Sequence, residues 1–140
     1  MIVLDTNVLI SALLKDSLTR KTIISSGFAF CYPEISLEEI RKYESYIIKK
    51  GGYTQEEYRQ ILNTLLQYIR LVPLEVIQPY LTRAKEIMNS IDINDTVFVA
   101  TAFALTASFI WSDDSDFDRQ HAVKVLKTKD MIKLIEKSRL

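Results

Sequence analysis

Cysteine and histidine occur once each in the 140 residues, and glycine and proline three times each. A single cysteine, Cys31 in the apolar run FAFCY, excludes a disulfide framework and reads as a buried thiol. The one histidine, His121, reads as a surface residue and a poor general base. So few Gly and Pro leave no linker, and there is no repeat or low-complexity tract. No apolar run approaches the ~18 residues of a membrane span. The start of the chain has neither a basic region nor a small-residue cleavage site, so no signal peptide is expected and the expected location is the cytoplasm. Net charge is zero, which argues against a polycation that coats nucleic acid.

What is present is a hydrophobic share of 48% with 26% charged residues, ordinary globular composition. The length fits one domain over residues 1–140, and a chain of this size buries roughly 68% of its unfolded surface. The zero net charge hides a pattern. Six of the nine aspartates lie between Asp92 and Asp118, and from Arg119 onward seven Lys or Arg face only Asp130 and Glu136.

MIVLD, residues 1–5, reads as a buried strand, with a short helix from Asn7 to Leu14. Asp16 or Ser17 can cap a second helix that ends at Gly27. FAFCY, 28–32, is the next expected strand, stopped by Pro33. Ser36 to Lys50 reads as one amphipathic helix ending at Gly51-Gly52. Thr54 to Tyr68 reads as another, begun by a capping box from Thr54 to Glu57. IRLVP, 69–73, SFIWS, 108–112, and VKVLKT, 123–128, complete a set of five strands. Between them fall helices from Pro79 to about Asn89 and from Asp95 to Leu105, and Thr128 is the expected cap of the last helix. Strands alternating with helices imply crossovers, a parallel sheet and a three-layer α/β/α domain.

In an open parallel sheet, ligands gather beyond the carboxyl ends of the strands. Asp5 ends the first strand. Asp113 and Asp114 follow the fourth. Asp95 begins an apolar helix, and Glu38 and Glu39 open the helix after the second strand. If strands one and four are neighbours, four segments aim acid at one edge. Like charges at close range raise one another's pKa values. A divalent cation held by oxygen ligands is the simplest offset. Carboxylates without His or Cys favour Mg²⁺ or Mn²⁺ over Zn²⁺.

DTN after the first strand, the acid in SLEEI, the run NDTVFVATA, and WSDDSDF together resemble the four signature segments of PIN domains, in order and across nearly the whole chain. The resemblance implies a PIN-like fold with a central, mostly parallel five-stranded sheet, and a metal-dependent ribonuclease using Mg²⁺ or Mn²⁺ on RNA. Many small members are VapC-like toxins, so it also implies an antitoxin protein as partner and a homodimer. By position, Asp5 matches the first acid, with Asn7 its supporting amide. Glu39, directly before Ile40, matches the second. Asp95 matches the third, with Ala100 and Ala102 where small helix residues fall. Asp114 matches the fourth, supported by Ser112 and by Asp116 in a D-x-D-F pattern. The doubled acid leaves Asp113 and Asp114 both open for that last role, with Asp114 preferred. Lys129, near the end of the fifth strand, is a candidate phosphate contact.

Plainer roles compete for several of these residues. Asp5 can end a strand in an Asx-turn. Asn7 can cap a helix. Ser36 and Glu39 have the spacing of a capping box. Asp92 and Asp118 read as caps or surface, Asp116 as a turn cap or a site residue. Trp111 reads as core, and Tyr43, Tyr46, Tyr53 and Tyr58 mainly as helix packing, with a partner groove or homodimer surface as the alternative. Two rival functions follow: a PIN-like module that binds RNA or protein without cutting, and a phosphotransfer domain with Asp5 as nucleophile. The second wants another acid two positions on, where Asn7 stands.

Overall fold

The computed structural model describes residues 1–14, 17–89 and 93–138. Asp16 and Asp92, read above as possible caps, lie outside the described residues. Five strands form one sheet: β1 (Ile2–Leu4), β2 (Phe30–Pro33), β3 (Ile69–Val72), β4 (Phe109–Trp111) and β5 (Val125–Leu126). Their order is β3-β2-β1-β4-β5 and every pairing is parallel. The order reverses between β1 and β4, so the switch point lies where the first and fourth strands meet. Their register sets Leu4 beside Trp111, and therefore Asp5 beside Ser112. All three residues of β1 are buried, as a central strand covered on both faces requires.

α1 (Thr6–Leu13) and α2 (Leu18–Ser25) follow β1. Ser17 caps α2 through the Arg20 N–H, and Gly27 takes the left-handed φ of 76° that ends it. The single helix expected over 36–50 is instead α3 (Leu37–Lys42) and α4 (Glu44–Gly51). At Tyr43 the chain tightens to an i→i−3 hydrogen bond, with the Tyr43 N–H on the Ile40 carbonyl, and leaves helical geometry. That break takes Tyr43 off the face that buries Ile47, and Tyr46 lies a further ~100° round the helix from Ile47. Both tyrosines are about half exposed, at 48% and 53%, contrary to the packing role expected of them. Tyr58 is buried as expected, and Tyr53 is half-buried with its ring over Gly51. α5 (Gln55–Leu66) opens with the reciprocal Thr54–Glu57 capping box.

The helix expected from Pro79 begins earlier. α6 (Leu74–Ile77), a 3₁₀ turn over Gln78–Tyr80, and α7 (Leu81–Met88) run in succession. α8 (Thr96–Ala104) lies against β1, β2 and β4, with α6 and α7 packed on it. It is apolar nearly all round, as a helix enclosed on its sides must be, and its buried Thr101 hydroxyl is satisfied by the Val97 carbonyl at 2.7 Å. α9 (Thr128–Ser138) packs beside β5. Thr128 is its first helical residue rather than its cap; the Lys127 N–H is held by the Asp130 carboxylate at 3.0 Å. No helix among the described residues is long and apolar enough to cross a membrane.

Candidate metal centre

Each acid reaches the sheet's carboxyl edge by a different local device. Asp5 leaves β1 in extended geometry and stands just before α1. Its Oδ2 accepts a 2.7 Å hydrogen bond from Ser112 Oγ. The same Ser112 oxygen accepts the Asp114 N–H at 3.0 Å. Ser112 is wholly buried, so one hydroxyl ties the end of β1 to the segment after β4. Asp114 then uses its Oδ1 to accept the Asp116 N–H at 2.9 Å, which starts the 3₁₀ turn Ser115–Arg119. Phe117, fully buried, anchors that turn. Asp95 sits at the start of α8 and is 9% exposed.

The result is a set of three carboxylates, Asp95, Asp114 and Asp116, each offering an oxygen within 4.8 Å of the others. An all-oxygen group at that spacing suits a hard divalent cation. Asp5 adjoins this set through Ser112, and the Asp114 charge acts on its carboxyl. Burial first, and Asp114 second, push Asp5 above the usual carboxylate range. The Ser112 hydroxyl and the Thr6 and Asn7 N–H groups at the start of α1 pull the other way. Those two N–H groups act by proximity, since Asp5 closes no capping bond.

Asp113 points elsewhere. It is exposed and accepts from the Thr128 N–H at 2.8 Å and the Thr128 hydroxyl at 2.6 Å, at the first turn of α9. Extended backbone alternates side chains, so Ser112 and Asp114 turn one way and Asp113 the other. Glu39 is half-buried on α3, and its charge reaches the phenol of Tyr32. The Ser36 hydroxyl makes no capping bond, so the expected Ser36–Glu39 box is not formed. Asn7 is exposed in the first turn of α1, and Lys129 is exposed in the first turn of α9. Lys127 pairs with Asp118 at 3.2 Å, and Lys124 lies 5.6 Å over the Phe109 ring. The structure thus brings Asp95, Asp114 and Asp116 into one tight group, with Asp5 and Ser112 adjoining it. Glu39 stands outside that tight group.

Sequence reasoning missed one residue, Tyr32. Its hydroxyl lies 2.8 Å from Thr6 Oγ1 and 2.9 Å from the Ser36 carbonyl, fully buried. A tyrosine in an otherwise apolar strand was the available signal, because a buried phenol needs a partner.

A raised pKa in the folded state has a definite sign. Such a group contributes stability below its ordinary value of 3.8, and that contribution is lost as pH rises through the folded value. In metal-free protein burial therefore sets a cost against ionising Asp5 as pH rises, and Asp5→Asn removes that cost while its amide oxygen can still accept from Ser112. The variant is expected to melt higher than the parent at roughly pH 7 in EDTA, with the gap shrinking toward roughly pH 4. Thermal melts across that range check it; a variant that melts lower at neutral pH contradicts it.

Acids from three separate segments gather at the switch point of a parallel α/β/α sheet, a group that could hold a divalent cation. A family profile described as PIN domain matches residues 3–135, and the chain belongs to the PIN-domain family. One similar solved structure is the crystal structure of VapBC2 from Rickettsia felis bound to a DNA fragment from their promoter. It is 19% identical, with a TM-score of 0.67, covering 91% of this chain and 98% of that one. At that identity the likeness is one of fold. No curated protein matches the chain at a significant level.

Proposed function

We propose that this protein is a metal-dependent endoribonuclease that hydrolyses phosphodiester bonds in unstructured RNA, and that it serves as the toxin of a toxin–antitoxin pair. The observation that carries the reading is the group of Asp95, Asp114 and Asp116 oxygens within 4.8 Å of one another, with Asp5 tied to it through Ser112. The donor set is all carboxylate oxygen, so Mg²⁺ or Mn²⁺ fits it. When bound, such an ion acidifies a water and offsets the charge that builds on the phosphate.

The chain's own residues have separate tasks. Asp95, Asp114 and Asp116 would hold the cation, with Asp5 adjoining them as a fourth carboxylate. Glu39, carried on α3 after the end of β2, would add a further acid to the rim. Ser112 fixes the spacing between Asp5 and Asp114. Asn7, in the first turn of α1, stands at the rim, where an amide can orient Asp5 or the RNA. Lys129 offers a positive contact to a substrate phosphate. Hydrolysis forms a bond from water oxygen to phosphorus and breaks the bond to the leaving sugar oxygen; no side chain need become covalently attached.

The family membership and the VapBC2 likeness support a protein antitoxin as partner. Exposed Tyr43 and Tyr46, on the α3–α4 segment, give a surface for that partner or for a second copy. The test is cleavage of an unstructured RNA by purified protein. Activity is expected with Mn²⁺ or Mg²⁺, absent in EDTA, and restored by added Mn²⁺. Binding of Mn²⁺ without any cleavage would favour the non-catalytic RNA- or protein-binding module. Cleavage undiminished by EDTA would end the metal reading.

A further inference from the structure

Tyr32 is the next-to-last residue of β2, the strand beside β1, and none of its surface reaches solvent. Its one hydroxyl proton goes to the Ser36 carbonyl at 2.9 Å. The 2.8 Å contact with Thr6 must then have the threonine hydroxyl donating to the phenol oxygen. Thr6 directly follows Asp5. Ser36 precedes Glu39 by three residues, at the start of the helix that carries it. The Tyr32 ring also packs on Phe98 at 6.0 Å between centroids, tilted by 51°. Phe98 lies three residues after Asp95 on α8, one turn along the same face. Tyr32 therefore touches the segments that deliver three acids of the rim, and touches each within one turn of its acid.

The hydroxyl is not needed to fill the core. A phenylalanine would occupy the same volume in β2 and pack equally on Phe98. What the hydroxyl adds is a polar tie between α1 and α3 across the end of the sheet. The tie reaches the start of α3 at the Ser36 carbonyl, while the Ser36 hydroxyl itself makes no capping bond. The charges of Glu39 and Asp5 both act on the phenol, which places it close behind the acidic edge.

We propose that Tyr32 is a positioning residue for the metal centre, holding the Glu39-bearing helix in register with Asp5 through the Thr6–Tyr32–Ser36 hydrogen-bond chain. The inference rests on the metal-dependent reading above. Residues that orient ligands from behind typically contribute about 10–100-fold to metal affinity or activity.

The experiment is a double-mutant cycle of Tyr32→Phe with Glu39→Gln, read by calorimetric titration with Mn²⁺ and by RNA cleavage, with circular dichroism to confirm folding. Tyr32→Phe is expected to weaken Mn²⁺ binding and lower kcat by about tenfold, with KM for RNA little changed. In the Glu39→Gln background the same change is expected to add less than about twofold, because the helix it positions no longer brings a charge. Thr6→Val, which keeps the Tyr32–Ser36 bond, is expected to give a smaller loss in the same direction and serves if Tyr32→Phe fails to fold. Wild-type affinity in Tyr32→Phe overturns the proposal. So do losses that multiply independently in the double variant, since a merely structural role would give that. If the parent binds Mn²⁺ but does not cut RNA, the nuclease reading falls while the binding cycle still judges Tyr32. If the parent binds no Mn²⁺, both fall together.

Discussion

Asp114→Asn is expected to cost RNA cleavage on the order of a thousandfold while the protein folds normally. The amide oxygen of asparagine can still accept the Asp116 N–H that Asp114 Oδ1 now accepts at 2.9 Å, so the turn at Ser115 survives. What disappears is one of three charges gathered within 4.8 Å. Stabilisation of transition-state charge by a cation is worth several kcal/mol, and each 1.36 kcal/mol is about a factor of ten. Asp113→Ala is the control one residue away. It breaks two hydrogen bonds to Thr128, at 2.8 and 2.6 Å, on an exposed side chain. It is expected to lower stability by about 1 kcal/mol and leave cleavage near the parent rate. Single-turnover kinetics and urea midpoints on the pair measure both. A dead Asp113→Ala beside an active Asp114→Asn would reverse the two assignments.

Trp111→Ala is expected to have the largest effect on stability, about 3–5 kcal/mol. That is a large share of the ~5–15 kcal/mol by which a domain of this size is held folded. The indole is wholly buried in β4, with Phe30 of β2 at 6.0 Å between ring centroids. Its Nε1–H donates to Thr128 Oγ1 at 3.1 Å, and that hydroxyl in turn donates to Asp113. Removing the ring leaves a cavity and strips the Thr128 hydroxyl of a donor. The Trp111 carbonyl accepts the Asp5 N–H at 3.1 Å, so collapse at this point also loosens the strand ends that carry the acids. Urea unfolding followed by circular dichroism checks the loss. A midpoint close to the parent's would show that neighbouring side chains close the gap.

The sheet and the acidic edge were legible because they follow from patterns of period and strand end. IVL and FIW are apolar runs too short for helices, and Asp5 and Asp114 mark where such runs stop. The 3₁₀ elements and the break at Tyr43 were not legible, since they depend on one backbone hydrogen bond tightening by a residue. The α3–α4 break also explains why Tyr43 and Tyr46 lie outside when their spacing from Ile47 suggested a stripe. Thr128 looked like a cap because threonine before a charged run usually is one. Only the tertiary approach of Asp113 and Trp111 claims its hydroxyl for something else. Ser112 and Asp116 were expected to support the acids; their partners, set by folding between distant segments, could not be read from spacing. Tyr32 was passed over for the same reason, as its role depends on Thr6, 26 residues earlier in the chain.

The pairing of β1 with β4 joins stretches of chain 107 residues apart at the Asp5–Ser112 hydrogen bond. Contacts so distant along the polypeptide form late, because a long loop must close before they reward it. During synthesis Asp5 is made 107 residues before Ser112 and has no side-chain partner for its carboxylate until Ser112 and Asp114 arrive. A chain made only as far as the fourth strand therefore carries no assembled acidic group; the carboxylates come together only after synthesis has passed it.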